Sequence, residues 1–129
     1  MKLRIRGDSI RLRLKRSEVA QLAEGKSIVE ETHFPGSVLT YRLDLSANDA
    51  IDVIYEHNEI VISVPASKVA HWANTEEVSL IVPDTLPEGA NLNLLIEKDF
   101  ACLDPGHGRD HEDDVDTYPH PSAASGGSC

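Results

Sequence analysis

Apolar and charged residues alternate strictly at the start of the chain. Leu3 and Ile5 alternate with cations over Lys2–Arg6, and the same period of two continues over Ile10–Leu14. The connection between these two runs is Gly7-Asp8-Ser9. A period of two is typical of a half-buried β-strand, and a short connection with glycine favours a tight turn. Residues 1–14 therefore predict a β-hairpin.

The same pattern returns fifty residues later, where Asn58–Ala73 matches Asp8–Ala23. In both segments the apolar positions recur at every second residue before a serine, which is Ser17 or Ser67. Beyond the serine they recur at helical spacing. A change of period at the same place in both copies predicts an internal duplication. Each copy is predicted to form two strands, a short helix capped by the serine, and two more strands.

The predicted fold is an α+β domain over residues 1–103, with halves at about 1–47 and 50–98. Its two ββαββ halves are predicted to pack as an eight-stranded barrel or sandwich with two short helices. The predicted strands are Lys2–Arg6, Ile10–Leu14, Ser27–Phe34, Val38–Leu45, Ile51–Glu56, Glu59–Val64, Val78–Val82 and Leu92–Glu97. The first helix is predicted to end at Gly25 and the second at Ala73.

Composition narrows the class of protein. The chain has 129 residues, of which 40% are hydrophobic, which suits one globular domain. The alternating charges at the N-terminus are unlike a signal peptide, and no apolar run has the length of a membrane span. Cys102 and Cys129 are the two cysteines, which do not predict a disulfide framework. We expect a cytoplasmic protein with no membrane partner.

Charge is distributed unevenly along the chain. The net charge is -10, yet residues 1–16 carry seven cations against Asp8 as the single acid. Residues 104–129 carry six acids against Arg109 and are rich in proline, glycine and serine. A segment of that composition buries too little apolar surface to order itself. Residues 104–129 are therefore predicted to be an acidic tail, largely extended or disordered.

The strand alternation places six cations on the outward side of the first hairpin. These residues are Lys2, Arg4, Arg6, Arg11, Arg13 and Lys15. Cross-strand neighbours lie about 5 Å apart, so the cations repel one another and need anionic company. Within the domain, the expected counter-charges are Glu30 or Glu31, and Asp44.

Three interpretations of these cations stay open. They form a solvated, ion-paired sheet face; or they bind a phosphate-rich ligand or an acidic partner; or they bind the protein's own tail. Arginine suits the second because its forked donors match phosphate and carboxylate. For the third, the tail supplies acids and an apolar anchor, namely Glu112, Asp113, Asp114, Asp116 and Tyr118. Nucleic acid is disfavoured, because no aromatic residues are interleaved with the cations and the rest of the chain is acidic.

The tail also contains a set of potential metal ligands. These are His107, Asp110, His111 and His120. Imidazole and carboxylate suit zinc, copper or nickel, although the neighbouring glycines argue against a rigid helix. The alternative is a tail that only increases solubility. Nothing else in the chain has the spacing of a known catalytic motif, and Cys102, Trp72 and the other histidines are interpreted as core or surface residues.

Both ends of the chain resemble a family of small, uncharacterised bacterial proteins. The resemblance rests on MKLRIRGDSIRLRLKRSEV at the start and on LLIEKDFACL and HEDDVDTYPHP near the end. It implies a bacterial cytoplasmic protein and brings no activity with it. The shared pattern it implies includes Cys102, Glu112, Asp113, Asp116, Pro119 and Pro121 but not the histidines, which favours tail docking over metal binding.

In topology alone, the predicted halves are similar to the swapped-hairpin domain of AbrB-like regulators. In that family two ββαββ chains interlock as a dimer, and the first hairpin carries arginines that contact DNA. The resemblance implies a single-chain version of that dimer, with DNA binding as an alternative function. From the residues themselves we expect a non-enzymatic binding or regulatory protein, with metal binding by the tail as the other alternative.

Overall fold

The structure is a computed structural model that describes residues 1–80, 91–99 and 118. The described elements agree with the predicted order of strands and helices. They are β1 (Lys2–Arg6), β2 (Ser9–Leu14), α1 (Arg16–Ala23), β3 (Ile28–Phe34), β4 (Ser37–Ser46), β5 (Asp52–Glu56), β6 (Glu59–Pro65), α2 (Ala66–Ala73), β7 (Ser79–Leu80) and β8 (Asn93–Lys98). The predicted α+β class is confirmed.

The strands form two four-stranded sheets with the orders β1-β2-β8-β7 and β3-β4-β6-β5. Of the two predicted arrangements, a barrel or a sandwich, the barrel is wrong. Within the described residues, hydrogen bonding stops at β1 and β7 in one sheet and at β3 and β5 in the other, so neither sheet closes onto itself. In each sheet the two central strands run parallel and carry an antiparallel strand on either side.

Each sheet combines one hairpin from residues 1–47 with strands from residues 50–98, so the two parts of the chain interlock. The register of the β1–β2 hairpin recurs in the β5–β6 hairpin under the fifty-residue shift. Lys2 pairs with Arg13 on β1 and β2, and Asp52 pairs with Ser63 on β5 and β6. Each of the two parts thus contains one hairpin of the same register.

One hydrophobic core lies between the elements and receives side chains from both sheets and both helices. The inward positions of β2, including Leu12 and Leu14, are buried as the alternation predicted. Trp72 is 1% exposed, which confirms its predicted place in the core, and its indole N–H donates to the carbonyl of Val78 at 3.1 Å. No helix in residues 1–80 or 91–99 is long and apolar enough to cross a membrane.

The helix ends differ in part from the prediction. Both helices begin one residue before the predicted serine cap, so Ser17 and Ser67 lie inside the first turn. At α1 the backbone N–H of the N-cap residue Lys15 donates to the Glu18 carboxylate at 2.9 Å, which is the bond that the third helical residue makes in a capping box. Gly25 has a φ of 92° directly after α1, as predicted for a helix terminator.

Candidate anion-binding face

The outward side of β1 and β2 is the basic face, which consists of Lys2, Arg4, Arg6, Arg11, Arg13 and Lys15. The strand register places Lys2 beside Arg13 and Arg4 beside Arg11. Arg6 lies beside Ser9, next to the turn. Like charges therefore face each other across the hairpin, as the alternation predicted, and every such pair needs compensation from elsewhere.

The compensation comes from β8, the parallel neighbour of β2. Glu97 is paired with Arg13 in the sheet, and its Oε1 lies 2.7 Å from the Nε of Arg13 and 3.6 Å from the Nε of Arg11. At the end of the same strand, Asp99 Oδ2 lies 3.4 Å from the Nζ of Lys2. Both carboxylates lie at the end of the face that is remote from the Gly7 turn.

The expected counter-charges on β3 and β4 are wrong. Glu30 lies in the other sheet, where its Oε1 is 3.2 Å from the N-terminal ammonium of Met1, which also forms an ion pair with Glu18. Asp44 lies beside Ser63 of β6. The β2–β8 pairing joins residues that are far apart in sequence, and no local pattern in the chain indicates such a pairing.

The other end of the face, near the Gly7 turn, is open. A groove of about 230 Å³ lies there, lined by Arg4, Arg6, Ser9, Arg11 and Leu95. Arg4 and Arg6 are exposed, and no ion pair to either one is present among the described residues. Ser9 and Leu95 belong to this site although the sequence pattern did not single them out. The groove therefore presents guanidinium donors and one hydroxyl to an anion.

Two buried charged residues lie behind the basic face, namely Lys98 at the end of β8 and Asp99 directly after it. Lys98 is 3% exposed and donates from Nζ to the carbonyl of Thr75 at 2.8 Å. Its Nζ lies 5.8 Å from the ring centre of Trp72 and 5.1 Å from that of Tyr118. Desolvation lowers the pKa of Lys98 below its ordinary value, while Glu77 and Glu76 act in the opposite direction.

Tyr118 lies beside Asp99, directly after the end of β8. Its backbone N–H donates to the carbonyl of Asp99 at 2.9 Å, and its ring packs against the core. The guanidinium of Arg16 lies 5.2 Å from the ring centre. Tyr118 is thus held at the remote end of the basic face, close to the Asp99 carboxylate that contacts Lys2. The acids proposed to accompany it lie outside the described residues, namely Glu112, Asp113, Asp114 and Asp116.

The predicted metal ligands also lie outside the described residues, namely His107, Asp110, His111 and His120. Cys102 and Cys129 lie outside them as well. In the part of the chain that the structure describes, no group of three histidine, cysteine or acidic residues is placed to hold a metal ion. His33, His57 and His71 are exposed, as predicted, and the Nε2 of His71 lies 3.1 Å from Glu77 Oε1.

Comparison with known families adds one finding. A model of the family of unknown function DUF7009 matches residues 1–122. The chain belongs to this family. The DUF7009 match covers the whole basic face, both sheets and Tyr118, and it confirms that the chain comes from an uncharacterised family. Neither the curated proteins nor the solved structures include a significant match.

Proposed function

We propose that this member of DUF7009 is a cytoplasmic, non-enzymatic binding protein whose basic face binds a phosphate-rich anion. The supporting observation is the groove between Arg4, Arg6 and Arg11, in which three guanidinium groups surround one open volume. Such a groove suits a compact oxyanion, because each guanidinium offers a planar fork of N–H donors. Ser9 adds a hydroxyl that donates to the same anion.

The distribution of counter-charges supports this location for the anion. Glu97 Oε1 lies 2.7 Å from the Nε of Arg13 and 3.6 Å from that of Arg11, so it compensates the end of the face that is remote from the Gly7 turn. The arginines nearest the Gly7 turn have no comparable carboxylate among the described residues. A bound oxyanion relieves the repulsion between Arg4 and Arg11, so binding and local stability are coupled.

We also infer that the matching halves arose by duplication and that one hairpin became specialised. At the shift of fifty residues, Lys2 corresponds to Asp52 and Arg6 to Glu56. The shared pairing register supports this inference, since Lys2↔Arg13 and Asp52↔Ser63 occupy equivalent positions. A duplicated unit that folds with either charge does not need arginines for folding, which supports a binding role for them.

The test is calorimetric titration of the full-length protein with pyrophosphate at low ionic strength. The double variant Arg4→Gln/Arg11→Gln should weaken binding about tenfold or more, because it removes two forked donors from the groove. The matched control is Lys26→Gln/Lys68→Gln, which removes the same charge away from the basic face and should leave the affinity within about twofold. Equal weakening by both variants would show that only net charge matters and would overturn the site.

The protein's own tail is proposed as a competitor for the same face. Tyr118 anchors the chain next to Asp99, and all six acids of residues 104–129 precede that anchor in sequence. Replacing Asp110, Glu112, Asp113, Asp114 and Asp116 by their amides in the full-length protein should then tighten pyrophosphate binding. Unchanged affinity would remove the tail from the account and leave the anion site intact.

The two alternatives from the sequence stay predictions with their own assays. Duplex DNA in place of pyrophosphate tests the AbrB-like alternative, for which the interlocked hairpins are the supporting observation. Native mass spectrometry of the purified protein tests the tail as a ligand set for zinc, copper or nickel. A stoichiometric metal adduct that disappears in His107→Ala/His111→Ala would support the metal alternative.

A further inference from the structure

The outward side of the second sheet has the opposite charge to the basic face. It carries five carboxylates around a single guanidinium, that of Arg42. We call this surface the acidic face, and its carboxylates belong to Glu31, Asp44, Asp52, Glu56 and Glu59. One row of paired residues crosses its middle in the order Ile54, Val61, Arg42 and Val29. Three of these four side chains are aliphatic.

The two faces are built on the same framework. Positions 2, 6 and 9 of the basic face correspond to positions 52, 56 and 59 of the acidic face under the fifty-residue shift. At these positions Arg6 is replaced by Glu56 and Ser9 by Glu59, and the cross-strand pairs Arg6↔Ser9 and Glu56↔Glu59 are in the same register. Opposite charges therefore occupy two equivalent positions, Lys2/Asp52 and Arg6/Glu56, on two surfaces of one molecule.

The acidic face also has exposed apolar side chains that a partner can cover. Ile54 is 44% and Val29 is 43% exposed, although both are large aliphatic residues on a sheet surface. The Nε of Arg42 and the Oδ1 of Asp44 are buried and have no hydrogen-bond partner among the described residues. Arg42 Nε lies 3.9 Å from Glu59 Oε1, which is too long for a hydrogen bond.

We propose that the acidic face of one copy docks onto the basic face of a second copy. This inference rests on the proposed function, because it names the acidic partner of the same arginines: Glu56 and Glu59 of one copy reach the groove at Arg4, Arg6 and Arg11 of the other. The interface joins two different surfaces, so each added copy leaves one basic and one acidic face free. Association therefore grows with protein concentration, weakens with salt, and competes with pyrophosphate.

The test uses sedimentation velocity on the full-length protein and two face-specific variants. Arg4→Glu/Arg11→Glu removes the basic face, and Glu56→Lys/Glu59→Lys removes the acidic face. The wild type should associate at low salt, and each variant alone should be monomeric, with an association constant lowered about tenfold or more. An equimolar mixture of the two variants should associate again, because charge reversal leaves acidic residues on both faces of one variant and basic residues on both faces of the other.

Two results would overturn the inference. One is a wild type that stays monomeric over the whole concentration range at low salt. The other is an associating wild type whose two variants fail to form a complex when mixed, although circular dichroism shows both to be folded. If a variant loses its fold, the milder variants Arg4→Gln/Arg11→Gln and Glu56→Gln/Glu59→Gln replace the two. Each of these should then associate more weakly than the wild type.

The proposed function has a separate readout on the same proteins. Glu56→Lys/Glu59→Lys should bind pyrophosphate as tightly as the wild type or more tightly, because its basic face is intact and no second copy competes for it. Pyrophosphate binding by a monomeric wild type overturns the docking of copies and leaves the anion site standing. A wild type that associates but does not bind pyrophosphate supports docking and rejects the phosphate ligand.

Discussion

Glu97 is the residue on which the charge balance of the basic face depends. Its side chain is 14% exposed and accepts a 2.7 Å hydrogen bond from Arg13 while lying 3.6 Å from Arg11. One carboxylate thereby holds two guanidinium groups that the hairpin places near each other. The residue stabilises the sheet and at the same time occupies donors that an external anion would use.

We predict that Glu97→Gln has opposite effects on stability and binding. Loss of the carboxylate charge should lower the free energy of unfolding by about 1 kcal/mol, because a partly buried, charge-assisted hydrogen bond is lost. Pyrophosphate affinity should rise, on the order of threefold, because Arg11 and Arg13 lose their competitor. Urea unfolding and calorimetry measure the two effects, with Glu24→Gln, which breaks an exposed ion pair with Lys26, as control. A variant that binds pyrophosphate more weakly would contradict this role.

Lys98 is a second residue with a measurable signature. Because burial lowers its pKa, the unfolded chain keeps the Lys98 proton up to its ordinary pKa of 10.5 while the folded protein loses it at lower pH. Between the pKa of Lys98 in the folded state and its pKa in the unfolded state, the unfolded state binds more protons. Over this range Lys98 therefore makes the folded state more stable as pH rises.

The corresponding prediction concerns the difference in unfolding free energy between wild type and Lys98→Met. The free energy of unfolding of the wild type should increase relative to that of Lys98→Met as pH is raised from neutral towards 10.5. Thermal or urea unfolding at a series of pH values measures it, and Lys26→Met, an exposed lysine, corrects for the loss of one positive charge. A difference that is constant with pH would show that Lys98 has the same pKa in both states.

At the scale of elements, α1 ends where the backbone turns into a left-handed conformation. Gly25 has a φ of 92°, and the N–H of Lys26 donates back to the carbonyl of Gln21 at 3.0 Å. Gly25→Ala should therefore lower the free energy of unfolding by about 1 kcal/mol, since a side chain disfavours this φ. Glu24→Ala is the matched control, because Glu24 has a φ of -81°. Equal effects in urea unfolding would refute the argument.

The strands also show which features of the fold the sequence could and could not predict. The period of two fixed which side of β2 is buried, and hence that Arg11 and Arg13 point outward. The pairing of β2 with β8 could not be predicted from the sequence, because a parallel pair depends on which distant strands meet in the folded chain and not on a local pattern. The sequence therefore predicted the cations of the site but assigned their carboxylate partners to Glu30 or Glu31 and to Asp44, and did not identify Glu97.

The whole molecule has an electrostatic axis that neither the net charge nor any single element reveals. The basic face lies on one sheet and the acidic face on the other, and each includes a hairpin of the same register. An acidic chain can therefore carry a compact cationic surface without contradiction, because its acids are concentrated elsewhere. The field of such a molecule guides small anions towards the groove and weakens with added salt.

The most direct test of the central claim is an NMR titration of the arginine side-chain Nε–H groups with pyrophosphate. We expect the signals of Arg4, Arg6 and Arg11 to shift and saturate together, while that of Arg42, on the other sheet, does not follow the same curve. The titration is repeated with sodium chloride at matched ionic strength. Signals of Arg4, Arg6 and Arg11 that respond to both salts alike, or that do not saturate, would show that the basic face is a solvated sheet surface and not a binding site.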